Sequence, residues 1–324
     1  MGTVRAHVGP RDYRDGVTTT VPSKAAPTGV QYRIRHDDHA ATVTEVGATL
    51  REYAVGGRDV VHPFPEDALP PAGNGAVLVP WPNRLRDGRY TYEGVDYQLP
   101  INEPDRMTSL HGLGNWQRWT ATEHTHTSVT LELALVPTPG YPFPVRLTIT
   151  YALSDDGLRV DLVATNEGDR TAPYGTGFHP WLSPNGADLD DCTLRLDAAT
   201  KVTVDDRLLP TGTEPAARKF DFRTPSTLRD VALDDAYVDV VRDEQGLAWI
   251  QLAAPDGRTA AVWMDGSMDT FQVCTGDELI PVANRTGVAA EPMSCIADAF
   301  RTGERLVHLA PGQSHTVTWG ATLL

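Results

Sequence analysis

The stretch VRLTITYALSDDGLRVDLVA at residues 145–164 decides the fold class. Val145, Leu147, Ile149, Tyr151 and Leu153 fall on one face, alternating with Arg146, Thr148, Thr150 and Ala152. Side chains on a strand point alternately to opposite faces, so this period of two predicts a half-buried strand rather than a helix. Asp155-Asp156-Gly157 reads as a turn, and Leu158, Val160, Leu162 and Ala164 resume the alternation. Two such runs joined by an Asp-Gly turn predict an antiparallel hairpin.

Working outward, the same period runs through Val129, Leu131, Leu133 and Leu135. A second hairpin is predicted from Ala248–Leu252 and Ala260–Met264 about Pro255-Asp256-Gly257. A third is predicted at Tyr90, Tyr92 and Tyr97, flanked by Gly88 and Gly94. A fourth is predicted from His308-Leu309 to Thr322 about Pro311-Gly312. Helical turns are expected only near 65–68 and 296–301. Strands punctuated by turn signals, without intervening amphipathic helices, imply an antiparallel β-sandwich rather than a βαβ fold. Residues 1–29 carry no apolar periodicity and no continuous apolar core of a secretory signal, so they are expected to be a disordered or loosely docked leader. No linker divides 30–324, which reads as one large domain.

The composition removes several classes of function. Of 324 residues, 28 are Gly and 25 Pro, and the 40% hydrophobic content suits a globular core. No apolar run reaches the roughly 18 residues of a spanning helix. The formal net charge of −15 opposes phosphate backbones and anionic membrane surfaces, so neither nucleic acid nor membrane is expected as a partner. Cys192, Cys274 and Cys295 are odd in number and without a CxxC spacing, which indicates small core residues in a reducing compartment, the cytoplasm. Only Lys24, Lys201 and Lys219 are lysine, so arginine is the default cation and a single Arg carries little weight.

Five polar sites stand out: Asn83-Arg84 within Pro80–Arg84, His111 within Ser109–Leu113, His179 within Thr176–Trp181, Asp234-Asp235 ahead of Tyr237, and Glu291 before Pro292. Each has a plain structural reading. A His beside Gly or Pro is commonly a turn residue, paired acids cap strand ends, and a Glu before Pro is held extended. His36/His39 and His124/His126 are each close in sequence, and on a strand His124 and His126 share a face and could chelate, but no metal is expected. There is no GxSxG, P-loop or GxGxxG after a strand.

Taken in order, these sites resemble the aldose 1-epimerase (galactose mutarotase) family, in its bacterial branch. The likeness begins near Val30 and is densest in AVLVPWPNRLRDGRYTYEGVDYQLPINEPDRMTSLHGLGNWQRW at 76–119. It continues in GFHPW at 177–181 and in the C-terminal segment from 285 that contains AAEPM. The resemblance implies an all-β, large antiparallel sandwich with a sugar cleft on its concave face. It implies Glu291 as general base, His179 as general acid and His111 at the ring-oxygen end. It also implies Arg84, Asp234, Asn83, Gln272 and Trp181 as sugar contacts. The family's Asp-His pair reads Asp234-Asp235 here, which leaves the sugar-binding acid open by one position. The family's Leu-His-Gly-Gly reads Leu110-His111-Gly112-Leu113, which leaves the sugar open.

Anomer interconversion needs one base for the C1 hydroxyl proton and one acid for the ring oxygen, with the roles reversed on reclosure. A Glu with reference pKa about 4.3 and a His near 6.5 suit that exchange, and no cofactor or metal is called for. Trp116 or Trp181 would stack on the sugar's C–H face, or serve as core or rim packing. The expected partner is a small sugar, and the chain is expected to be a monomer or homodimer. The reading requires the imidazole at 179 and the carboxylate at 291 to converge on opposite sides of one pyranose. Two alternatives remain. One is a hexose-6-phosphate 1-epimerase using Arg86, Arg89, Arg106 or Arg118. The other is a sandwich that holds sugar without turnover.

Overall fold

The structure, a computed structural model, describes residues 26–277 and 284–324. The leader expected at 1–29 lies outside the described residues up to 25. Of the remainder, Thr28 is buried and its carbonyl accepts from the Val46 N–H at 3.0 Å.

The predicted hairpin at 145–166 forms with Val145–Ser154 paired in register against Gly157–Asn166. Asp155 and Asp156 alone make the connection. Gly157 is already a strand residue opposite Ser154, at φ +109°, where its missing side chain lets the chain turn. The alternate residues Leu147, Ile149, Tyr151, Val160 and Leu162 are all buried. Each such side chain contributes about 1.5–3 kcal/mol by leaving water. This hairpin sits within a nine-stranded antiparallel sheet that also contains Ser128–Leu135, Ser314–Leu323 and the second predicted hairpin, Ala248–Ala253 with Thr259–Met264. The third hairpin pairs Arg89–Tyr92 with Val95–Gln98 about Glu93-Gly94.

The fourth predicted hairpin does not form. Val307–Leu309 pairs with Ala172–Tyr174, and Ser314–Leu323 pairs with Gly157–Asn166 and Thr259–Met264. Asn166 separates the two segments. Its side-chain amide donates to the Leu309 carbonyl at 2.8 Å, and its own carbonyl accepts from Gly312 N–H at 2.9 Å. Period two identifies a strand but not its partner. Near 65–68 the chain makes a turn rather than a helix, closed by Ala68 N–H to the Pro65 carbonyl at 3.1 Å. At the second expected helical place there is one turn of α-helix, Ala299–Thr302.

The second large sheet has twelve strands and packs over the first through a shared core that includes Tyr53, Phe178, Tyr237, Phe271 and Trp319. At its middle lie, in order, Trp181–Leu182, Val288–Met293, Thr270–Cys274 and Asp234–Val240. Directly opposed residues share a face, so Trp181, Ala289, Glu291, Gln272, Cys274 and Asp234 all point away from the core. A small pair of strands, Arg84–Arg86 and Thr108–Leu110, brings Asn83, Arg84 and His111 over that face.

Candidate active site

His179 and Glu291 lie 112 positions apart in sequence, yet the sheet brings them together: His179 Nε2 is 3.4 Å from Glu291 Oε1. They stand side by side rather than facing each other across a ring, which corrects the expected arrangement. The cause is topological: the segment leading from His179 into Trp181–Leu182 runs next to Val288–Met293 in one sheet, so both side chains leave the same surface. The two groups form the floor of a cleft of about 360 Å³. His179 is 6% exposed and Glu291 2%, while Trp116 at the rim is 59% exposed. Glu291 Oε2, His179 Nδ1 and the Trp181 indole N–H have no hydrogen-bond partner among the described residues.

Three groups fix the His179 ring. Trp181 stacks on it at 6.1 Å between centroids and 11° between planes. His111 meets it edge-on at 5.3 Å. Gly73, at φ +71°, leaves room for it, since a Cβ there would come within 3.3 Å of His179 Cδ2. Trp181, expected as a sugar-facing aromatic, therefore lines the cleft with its indole stacked on the imidazole, and Trp116 is the exposed aromatic of the cleft.

His111 follows Thr108–Leu110 in a left-handed conformation, φ +63°. A side chain on the next residue, Gly112, would run into the Val79 carbonyl, so the turn admits only glycine. Asn83 N–H donates to His111 Nδ1 at 3.2 Å, and His111 N–H returns to the Asn83 carbonyl at 3.0 Å. With Nδ1 accepting, the neutral ring carries its proton on Nε2 and presents a donor. Asn83 Oδ1 accepts the Arg84 N–H at 2.7 Å, so the Asn83 side chain shapes its own turn while still lining the cleft.

Arg84 is held from two sides. Its Nε donates to Glu103 Oε2 at 2.9 Å and its Nη2 to Glu103 Oε1 at 3.1 Å, while Nη1 lies 3.5 Å from Asp234 Oδ2. Gln272 Nε2 donates to Asp234 Oδ1 at 2.6 Å. Gln272 lies opposite Glu291 on the next strand, in a narrow crevice with Asn83, Arg84 and Asp234, and orients Asp234. Strand alternation separates the two acids left open by one position. Asp234 lines the cleft, whereas Asp235 points to the other face and pairs with Lys201 Nζ at 2.9 Å. Glu103, Asn102, Asn115, Cys274 and Gly73 also line the cleft and were not singled out in the sequence. Asn102 and Glu103 fall within the 76–119 stretch, where nothing in the sequence marks Glu103 apart from its neighbours.

Burial governs the protonation of the floor. It pushes the Glu291 carboxyl well above the ordinary range, aided by Asp234 and opposed by Arg84. It pushes His179 down to about 4, with Arg84 acting the same way. His111 is held well below its usual value by burial, then by His179 and Arg84. Burial thus favours the uncharged form of each member of the floor pair, a protonated carboxyl beside a neutral imidazole. Solution values alone suggest an ionised Glu; burial works against that preference.

The arginines named for a phosphate do not converge. Arg86 pairs with Asp205, Arg106 with Glu103 and Arg118 with Glu45, and Arg89 bonds Gln98 away from the cleft. The paired histidines of the sequence find separate partners. His39 bonds Tyr53, His124 bonds the Arg33 carbonyl, and His36 instead approaches the exposed Asp37 and Asp155. Cys192, Cys274 and Cys295 are unpaired, two of them buried and Cys274 at the cleft wall.

The chain is thus a large antiparallel β-sandwich with a carboxylate–imidazole pair at the floor of a polar cleft. The sequence matches the aldose 1-epimerase family over residues 30–321, and the chain belongs to that family. It is 35% identical to the uncharacterized protein YihR of Escherichia coli over 280 residues, 86% of this chain and 88% of that one. It is 30% identical to galactose mutarotase of Rattus norvegicus over 163 residues, 48% of this chain and 46% of that one. Among solved structures, the galactose 1-epimerase of Lactobacillus acidophilus superposes with a TM-score of 0.75 at 19% identity, covering 90% of this chain and 93% of that chain. The GalM/aldose epimerase homologue from C. elegans gives 0.80 at 20% identity, covering 91% and 98%.

Proposed function

We propose that the protein is an aldose 1-epimerase that interconverts the α and β anomers of a free, unphosphorylated aldose. The observation that carries this reading is the 3.4 Å contact between His179 Nε2 and Glu291 Oε1 at the floor of the cleft. The two oxygens that exchange protons in the reaction, the C1 hydroxyl and the ring oxygen, are both bonded to C1. Adjacent acceptor and donor groups suit adjacent oxygens.

A sugar entering the cleft brings hydroxyls to both groups, and the shared proton crosses from Glu291 to His179. The carboxylate, favoured by the Arg84 charge, takes the C1 hydroxyl proton. The imidazolium gives its proton to the ring oxygen as the C1–O5 bond breaks. The aldehyde rotates about C1–C2, and reclosure runs the transfers backward. The neutral His111, donating from Nε2, steadies the ring-oxygen end. Arg84 and Asp234 hold the sugar hydroxyls so that both protons move along short paths. Each of the two proton-transfer groups is worth about 10²–10⁴ in rate.

The phosphorylated-sugar alternative asks for several converging cations. Among the described residues Arg84 is the cleft's one lining cation, and Glu103 and Asp234 already pair with it. Three unpaired thiols accord with a reducing compartment such as the cytoplasm. Polarimetry on a panel of freshly dissolved hexoses and pentoses tests the proposal. Acceleration of optical-rotation decay for at least one sugar is expected; a panel with none accelerated removes the mutarotase reading.

A further inference from the structure

Glu103 is the acid of the cleft for which neither the reaction nor the sequence pattern supplies a task. It is held on every side. Its backbone pairs with Thr108 in both directions, at 3.2 and 3.1 Å. Its Oε2 accepts from Thr108 Oγ1 at 2.5 Å, and Arg106 Nη1 lies 3.4 Å from Oε1. Its carboxylate then meets the Arg84 fork edge-on through Nε and Nη2. The two side chains are 12% and 15% exposed, so the pair is largely shielded from water. A bidentate carboxylate fixes the guanidinium plane and leaves Nη1 as the nitrogen turned to Asp234 and the cleft.

We propose that Glu103 is a positioning residue for the reaction: it aims the Arg84 fork into the cleft and cancels most of its charge, so that Arg84 grips a sugar hydroxyl without imposing a full cation on the His179–Glu291 pair. This rests on the epimerase reading for its consequence in turnover, but not for its electrostatics. Arg84 acts on all three titrating groups of the floor, favouring the charged form of Glu291 and opposing it in His179 and His111. The charged or titratable groups facing Glu291 are His179, Asp234 and Arg84, with the Cys274 thiol on the neighbouring strand. Facing Arg84 are Glu103 and Asp234, with Arg106 behind Glu103. Glu103 itself is kept ionised: burial works against this, but Arg84 and Thr108 outweigh it and hold its carboxyl below the ordinary range. Without the Glu103 charge, the Arg84 field reaches the floor less opposed, and Glu291 loses its proton at lower pH.

The test is the titration of the Glu291 carboxyl, followed by ¹³C NMR on the intact protein labelled at glutamate side chains, in wild type, Glu103→Gln and Glu103→Asp. It needs no substrate. Glu103→Gln is expected to move the Glu291 midpoint down by about one pH unit, the order expected for removing a unit charge nearby at an effective dielectric near 20. Glu103→Asp keeps the charge and shortens the reach, so the midpoint stays and the grip on Arg84 loosens. Where anomer exchange is measured, kcat/KM falls about tenfold to a hundredfold in Glu103→Gln, and both limbs of its pH profile move down. In Glu103→Asp the limbs stay and KM rises. A midpoint unmoved in Glu103→Gln overturns the proposal. Should Glu103→Gln not fold, a midpoint that moves in Glu103→Asp overturns it instead. Wild-type protein that accelerates no sugar sinks the epimerase reading separately and leaves the titration to decide the role of Glu103.

Discussion

The cleft has two walls of different make. One wall is the centre of the twelve-stranded sheet, which carries Glu291, Gln272 and Asp234 on paired strands and His179 two residues ahead of Trp181–Leu182. The other is built from turns: Asn83-Arg84 and His111 flank a two-stranded pair, with Glu103 and Trp116 on short 3₁₀ segments or their ends. Proton transfer tolerates little displacement, and paired strands buried on both sides provide the least. Recognition of hydroxyls tolerates more, and there the chain uses left-handed turns at Asn83 and His111 locked by reciprocal hydrogen bonds. The proposed chemistry thus sits on the rigid wall and the proposed grip on the sugar on the turn wall.

Substitutions on the two walls should separate accordingly. The largest effect is expected for Glu291→Gln, with catalysed anomer exchange falling about 10²–10⁴-fold by NMR exchange spectroscopy. Wild-type-like exchange in this variant would remove the sheet wall from the chemistry. The same variant carries a stability signature. The raised folded-state Glu291 value means that the native state holds a proton that the unfolded chain gives up, so wild-type stability declines as pH rises toward that value. The lowered His179 value acts oppositely, its stability present above about pH 6.5 and lost as pH falls toward about 4. As pH rises from the ordinary carboxylate range toward the raised Glu291 value, Glu291→Gln should therefore gain on wild type in denaturant melts with a limiting slope of about 1.4 kcal/mol per pH unit.

Arg84→Leu tests the turn wall. It leaves Glu103 and Asp234 facing each other without their cation, and a loss of about 3 kcal/mol in stability is expected together with a large rise in KM. A rise in KM without loss of stability would mean that the acids find other partners. Asp234→Asn and Asp235→Asn form a sharper pair, since alternation puts one on each face of the sheet. The first should raise KM about tenfold, and the second should leave KM alone and cost about 1 kcal/mol through Lys201. Equal effects on KM would contradict the assignment of faces. The smallest effect is expected for Trp116→Ala at the exposed rim: stability within about 0.5 kcal/mol and a KM change of a few fold. A kcat change there would bring the rim into the chemistry.

Much of this was legible in the chain. The alternation at 129–135 and 145–164 predicts strands that do form, with the expected residues inward, because period two has one structural meaning when one face must leave water. The residues His111, His179, Glu291, Arg84, Asn83, Asp234 and Trp181 all come to one cleft, as the ordered motifs implied. Glu103 was not legible, since a Glu before Pro104 looks like any strand-end acid until Arg84 is seen against it. Gln272, implied as a sugar contact, stands opposite Glu291 with its amide donated to Asp234, a neighbour on the next strand that sequence spacing does not give.

Alternating hydrophobicity and the turn residues determined an antiparallel β protein, and the ordered polar motifs determined its family. The partner of each strand was decided by tertiary structure, as the failed pairing about Pro311-Gly312 shows. So were the side-by-side stance of His179 and Glu291 and the opposite directions in which burial shifts their titrations. Those properties depend on which surfaces exclude water together, and that is a fact of packing between residues distant in the chain.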